Sequence, residues 1–166
     1  MYLNPDLRKL TRAGAIAAIY VALCLALSPI SYGPLQVRIA EAMTVLPMIW
    51  PEAVPGLAVG ALIANLLGPV GAIDVIFGTL ATLIAAFITM KFPWKAAGYA
   101  APVLINGLIV GGYLPFVYGM PSVSLWGMDM TVPASMLAVA AGEVIAVLGL
   151  GLPLLRIFRR AASQQR

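Results

Sequence analysis

The chain has 166 residues, of which 62% are hydrophobic and 10% charged, and its mean hydropathy is +1.00. A soluble domain carries roughly 25% charged residues, so this composition excludes the water-soluble classes and predicts one integral membrane domain over residues 1–166. With no histidine and a single cysteine, Cys24, a disulfide framework and the usual zinc and haem sites are excluded, and neither a metal nor a cofactor is expected.

A membrane-spanning helix needs about 20 apolar residues, so this length admits six or so crossings at most. Arg8, Lys9 and Arg12 precede the first apolar run. A secretory signal opens the same way, but the run leads into Pro29 and the bulky Tyr32 rather than a small-residue cleavage site. The reading is a retained first helix over 11–30. Gly14, Ala18, Ala22 and Ala26 recur on it every four residues, which puts them on one face. In lipid such a face serves either an internal helix contact or a groove for a partner subunit. Cys24, within the run, reads as a small buried residue.

SYGPL at 31–35 predicts a short break. The second segment, 36–50, is short for a span and carries Gln36, Arg38 and Glu41 at its start. Pro51 and Pro55 separate it from the third, 53–67, which closes at Gly68-Pro69. The fourth covers 72–90 and is followed by Lys91, Pro93, Trp94 and Lys95. The fifth covers 96–112. Residues 113–131 then read as an aromatic loop holding Tyr113, Phe116, Tyr118 and Trp126. The sixth covers 132–157, and Arg156, Arg159, Arg160 and Arg166 follow at its end.

Nine of the ten cations lie in the amino end, the 91–95 loop and the carboxyl end. Positive segments stay in the cytoplasm. Keeping all three there requires an even number of crossings between each pair, so the short second segment must cross. The prediction is an all-α membrane protein of six transmembrane helices with both termini cytoplasmic. Orientation then accounts for the net charge of +4, and nucleic-acid binding is not expected.

In this topology Gln36, Glu41, Asn65, Asp74 and Asn106 fall in the outer half. Glu41 lies about 8 Å from the outer boundary at 1.5 Å per residue, and Glu143 roughly 16 Å, near the midplane. Buried ionisable groups in lipid persist when they pair or line a pathway. Each has a structural alternative: Arg38 with Glu41 as a pair three residues apart, Asp74 as a complement to a helix dipole, Asn65 as a helix cap, Asn106 as a helix bridge. Glu143 has no cation at its depth. The outer half sets Arg38 against Glu41, Asp74, Asp129 and Glu143, so a ligand rich in N–H donors, or a cation, is favoured over an anion. The aromatic loop, Trp126 included, reads as a stacking lid over a flat ring or as an interfacial belt. No GxxxxGK[ST] loop, Ser-x-x-Lys pair or histidine is present, so neither ATP hydrolysis nor nucleophilic catalysis is expected of this chain.

YGPLQVRIAEAMTVLP, PGLAVGALIANLLG and DVIFGTLATLIAA, continued by PVLINGLIVG and AGEVIAVLGLGLPLL, resemble the QueT family over about residues 8–160. Its members are substrate-binding S components of energy-coupling-factor (ECF) transporters. The resemblance implies a six-helix bundle in the plasma membrane of a prokaryote. It also implies a membrane T protein and two cytoplasmic ATPases as partners, and delivery of the ligand by toppling in the bilayer. The family's alanine docking motif is matched by Ala18 and Ala22, beside Gly14. The implied ligand is a queuosine precursor, a 7-deazaguanine such as 7-aminomethyl-7-deazaguanine, or queuine. Its donor edge suits Glu143 and its amine suits Glu41 or Asp74. Asn106 would read a ring atom, and Arg38 would orient Glu41 or bind the carbonyl oxygen, with Gln36, Asn65 and Trp126 completing the site. The alternatives are an S component for another vitamin-sized ligand, a stand-alone proton-coupled carrier, and a structural subunit in which Glu41 and Glu143 satisfy each other.

Overall fold

The computed structural model describes residues 4–33 and 36–163. Pro34 and Leu35 of the predicted break, and Arg166 of the tail, lie outside the described residues.

The first helix, α1, runs Pro5–Ala26 and begins earlier than the apolar run indicates. Asn4 supplies the reason: its side chain caps the backbone N–H of Asp6 at 3.1 Å, and Pro5 occupies the first turn, where a missing N–H costs nothing. A single-turn helix, α2, follows at Ser28–Ser31. The segment predicted as an α-helix over 36–50 is different. Gln36 to Arg38 are non-helical, and Ile39–Met48 is a 3-10 helix with Pro47 inside it. At about 2.0 Å per residue these ten residues reach roughly 20 Å, where an α-helix would reach roughly 15 Å. Every residue from Ala40 to Met48 is buried, so this is the central strut of the molecule.

Helix α3 runs Ala53–Leu67, with the predicted bounds. A π-helical stretch, Asp74–Gly78, leads into α4, Thr79–Lys91. Helix α5, Ala96–Tyr118, overruns its predicted end by six residues and takes in most of the supposed aromatic loop. It passes Gly111-Gly112 because lipid-depth helices tolerate glycine when a neighbour packs closely. A Cβ on Gly111 would lie 2.5 Å from the Met136 Cα. What remains of the loop is a two-stranded hairpin, β1 Ser124–Leu125 against β2 Met128–Asp129. Helix α6, Thr131–Val144, passes through a π-helical stretch at Ile145–Gly151 into α7, Leu152–Ser163.

Helix α1 packs on α3, α3 on α4, α4 on α5 and α5 on α6, and the 3-10 strut runs between α1, α4 and the last π stretch. The α1–α3 seam is closed by glycines. A Cβ on Gly56 would lie 2.6 Å from the Ala13 carbonyl oxygen, and one on Gly60 2.9 Å from the Tyr20 Cβ. The face of α1 turned to α3 is therefore Ala13, Ala17 and Tyr20. Gly14, Ala18 and Ala22 are exposed on α1.

The cations gather at one end. Arg12 pairs with Glu52 and lies 4.5 Å over the Trp50 ring, Trp50 meets Phe158 edge-on at 5.0 Å, and Arg159 lies over Trp94. Among the described residues four helical runs are long and apolar enough to cross a membrane: Pro5–Ala26, Asp74–Lys91, Ala96–Tyr118 and Thr131–Arg160. Ile39–Met48 and Ala53–Leu67 are apolar but shorter.

Candidate functional site

Away from the cationic end, the structure buries Gln36, Arg38, Glu41, Asn65, Asp74, Asn106 and Glu143 inside the bundle. Six of them fall into three bonded groups, and Gln36 lies outside these.

The first neutralises itself. Arg38 Nη2 lies 2.7 Å from Asp74 Oδ2, both side chains almost wholly buried. The Tyr113 hydroxyl donates to Asp74 Oδ1, and Asn65 Nδ2 donates to the Asp74 carbonyl at 3.0 Å. The guanidinium also faces the Tyr32 ring at 5.2 Å. So Arg38 pairs with Asp74 rather than with Glu41 three residues on, and Asn65 is a brace to the start of α4 rather than a simple cap. Gly78 makes room for this, since a Cβ there would lie 2.4 Å from Asp74 Oδ1.

The second group holds Glu41. The Tyr20 hydroxyl and the Thr82 hydroxyl, the latter at 2.9 Å, both donate to Oε1. Oε2 is buried and has no partner. In the third group Asn106 Nδ2 donates to Glu143 Oε1 at 3.1 Å, and Glu143 Oε2 is again buried without a partner. Glu143 lies within electrostatic reach of Glu41 and Arg38.

Gln36 stands beside them. A Cβ on Gly142, next to Glu143, would lie 3.4 Å from the Gln36 carbonyl oxygen. The Gln36 backbone has φ +41, a conformation that costs a residue with a Cβ, and its buried Nε2 donor has no partner. Buried polar atoms are nearly always hydrogen-bonded, so each exception calls for an explanation. Glu41 Oε2 and Glu143 Oε2 are thus two spare acceptors, and Gln36 Nε2 a spare donor, in the bundle interior. Ser31 Oγ, Asn65 Oδ1 and Ser135 Oγ are also buried without partners.

Trp126 does not join this set. It occupies the hairpin turn at φ +52, is 88% exposed, and so stacks on nothing in the cluster. Tyr113 and Tyr118, read from sequence as lid residues, are helical, and their hydroxyls bond Asp74 and the Tyr32 carbonyl. Sequence reasoning missed Tyr20, Thr82 and Ser135. A signal existed for Tyr20: it lies four residues from both Ile16 and Cys24 on the inward face of α1, and a buried phenol needs an acceptor.

A mostly helical chain with several runs long and apolar enough to span lipid, and buried carboxylates in its interior, is a multi-pass membrane protein. The profile of the QueT transporter family matches residues 10–160, nearly the whole length, and the chain belongs to that family of ECF S components, transporter subunits for a small ligand. No curated protein and no solved structure gives a significant match.

Proposed function

We propose that this chain is the subunit that captures a 7-deazaguanine, such as 7-aminomethyl-7-deazaguanine or queuine, for an ECF importer in a prokaryotic plasma membrane. The single observation behind this reading is the pair of buried, unpartnered oxygens, Glu41 Oε2 and Glu143 Oε2. A guanine-like edge presents adjacent N–H and NH2 donors, which a carboxylate accepts side by side. Glu143 takes that edge, with Asn106 holding Oε1 in place. Glu41 takes the cationic amine through a charge-assisted bond. Asp74 is already matched by Arg38, so it orders the site from behind rather than meeting the amine. Gln36 Nε2 donates to the ring carbonyl oxygen. Trp126 would reach a ring only by movement of its hairpin.

The topology in this reading has six crossings with both termini in the cytoplasm. The 3-10 strut and α3, short by residue count, are two of the six, and the strut's extra rise supports counting it. The outward stripe of Gly14, Ala18 and Ala22 receives the T protein, which couples the subunit to two ATPases. Whole-chain continuity of contacts supports one integral membrane domain.

Calorimetric titration of detergent-purified protein with 7-aminomethyl-7-deazaguanine, queuine and guanine tests the ligand. Saturable binding by the deazaguanines is expected. Binding of none of them, with a different vitamin-sized molecule co-purifying, would overturn the substrate and leave the family intact. Ala18→Trp tests the docking face: co-purification with the T protein is expected to fall while ligand affinity holds. The structural-subunit alternative needs Glu41 and Glu143 to satisfy each other, whereas the bonds of each run to other residues.

A further inference from the structure

At the cationic end a cleft of about 620 Å3 opens between the start of α1 and the turn before α3, lined by Arg8, Lys9, Arg12, Trp50 and Glu52. It shares Lys9 and Glu52 with a second hollow of about 420 Å3, whose wall is otherwise apolar: Leu10, Ala13, Gly14, Pro55, Gly56 and Val59. That hollow in turn shares Gly14 and Ala17 with a third, of about 460 Å3, reaching Val21 and Ile63. The three form one slot along the α1–α3 seam, basic and aromatic at the mouth and greasy along its length.

We propose that this slot binds one anionic phospholipid, its phosphate at Arg8 and Lys9 and one acyl chain along the seam. Three features fit that occupant. From Lys9 to Val21 the slot runs about 18 Å, close to the roughly 15 Å of one hydrocarbon leaflet. The mouth carries Arg8, Lys9 and Arg12 against Asp6 and Glu52, a positive balance. Glu52 is already matched by Arg12, whereas the Lys9–Asp6 contact is a solvent-exposed 3.5 Å pair that an anion can displace. Trp50 and Phe158 bring α7, with Arg156 and Arg159, alongside the mouth, and an indole at that level is a membrane-interface anchor. Basic pockets between helices at a membrane surface recognise such headgroups. Ala18 and Ala22 themselves line the third hollow, so a lipid seated there must move before a partner covers that face.

Native mass spectrometry of the full chain, released from micelles doped with equal amounts of phosphatidylglycerol and phosphatidylcholine of matched chains, reads the occupancy. The wild type is expected to keep one phosphatidylglycerol about fivefold or more over phosphatidylcholine. Arg8→Gln with Lys9→Gln should bring that ratio close to one. If the double variant does not fold, Lys9→Gln alone should lower it. Gly14→Leu fills the slot, and since a Cβ at Gly14 meets nothing within 4 Å the helix tolerates it. This variant should lose both lipids while eluting as folded protein. Equal retention of the two lipids by the wild type, an unchanged ratio in the basic-residue variants, or full occupancy in Gly14→Leu would overturn the proposal. So would a dimer in place of lipid adducts, which would give the slot to a second copy. Sodium phosphate raising the Tm as much as phosphatidylglycerol would assign the mouth to a free anion instead.

Discussion

Replacing Glu143 with glutamine changes one atom of the buried cluster and leaves its shape. Asn106 Nδ2 donates to Oε1 at 3.1 Å, and the glutamine oxygen keeps that bond. The oxygen lost is Oε2, the buried acceptor with no protein partner. In the proposed complex an NH2 group would then face the donor edge of the ligand, donor against donor. Hydrogen bonds to a charged group contribute about 1.5–3 kcal/mol each. Losing one predicts a Kd weaker by roughly 10- to 150-fold for 7-aminomethyl-7-deazaguanine. Because the substitution removes a buried ionisable group, Tm without ligand should hold or rise. Titration calorimetry and a thermal-shift series on the same preparation separate the two effects. Full affinity in Glu143→Gln would refute the reasoning, since no protein atom needs Oε2. A Tm drop matching the affinity loss would instead make Glu143 a structural residue.

Breaking the Arg38–Asp74 pair should act on the fold. Arg38→Met leaves a buried carboxylate uncompensated and should cost about 3–5 kcal/mol, read as a large fall in Tm, while Arg38→Met with Asp74→Leu should recover much of it. Gly56→Ala places a Cβ 2.6 Å from the Ala13 carbonyl and should separate α1 from α3 at about 1–3 kcal/mol, again by Tm, while Gly14→Ala should be nearly neutral. The hairpin has its own pH response. The backbone N–H and hydroxyl of Thr131 donate to Asp129, which holds this exposed carboxyl below its ordinary value of 3.8. The order these bonds confer is complete above pH 3.8 and is lost as pH falls through the lower native value. Trp126 fluorescence should report that step, and Thr131→Val should move it up toward 3.8.

The sequence was most legible where chemistry and length agree. Ala53–Leu67 keeps its predicted bounds because Pro51 and Gly68-Pro69 punctuate it on both sides. The buried polar residues were readable too, since Gln36, Arg38, Glu41, Asn65, Asp74, Asn106 and Glu143 stand out against apolar neighbours. Their pairing was not readable. Arg38 has Glu41 one helical turn away if the segment is α-helical, but the segment starts as extended chain and continues as a 3-10 helix, and the partner is 36 residues further on, at Asp74. Propensity does not encode a ten-residue 3-10 helix, because such runs survive only when tertiary packing holds them. The 113–131 stretch misled for a related reason. Paired glycines mark a helix end in water, while in lipid they mark the place where α6 comes closest.

These pairings also change the electrostatic argument. From sequence the outer half set one cation against four acids. In the folded chain Asp74 is cancelled by Arg38, and Asp129 sits outside on the hairpin, bonded to Thr131. In the proposed site a guest meets Glu41 and Glu143 together with the dipole of Gln36. Two buried carboxylates in low dielectric repel one another, and a cationic guest lessens that cost. A ligand with one ammonium and a separate neutral donor edge relieves one by charge and the other by hydrogen bonds. Under the proposal, that demand is narrower than a general preference for cations, and an aminomethyl deazaguanine is expected to outcompete both a bare amine and a neutral purine. Tyr20 gives the arrangement its reach, because its hydroxyl ties Glu41 to α1, the helix whose opposite face carries Gly14, Ala18 and Ala22.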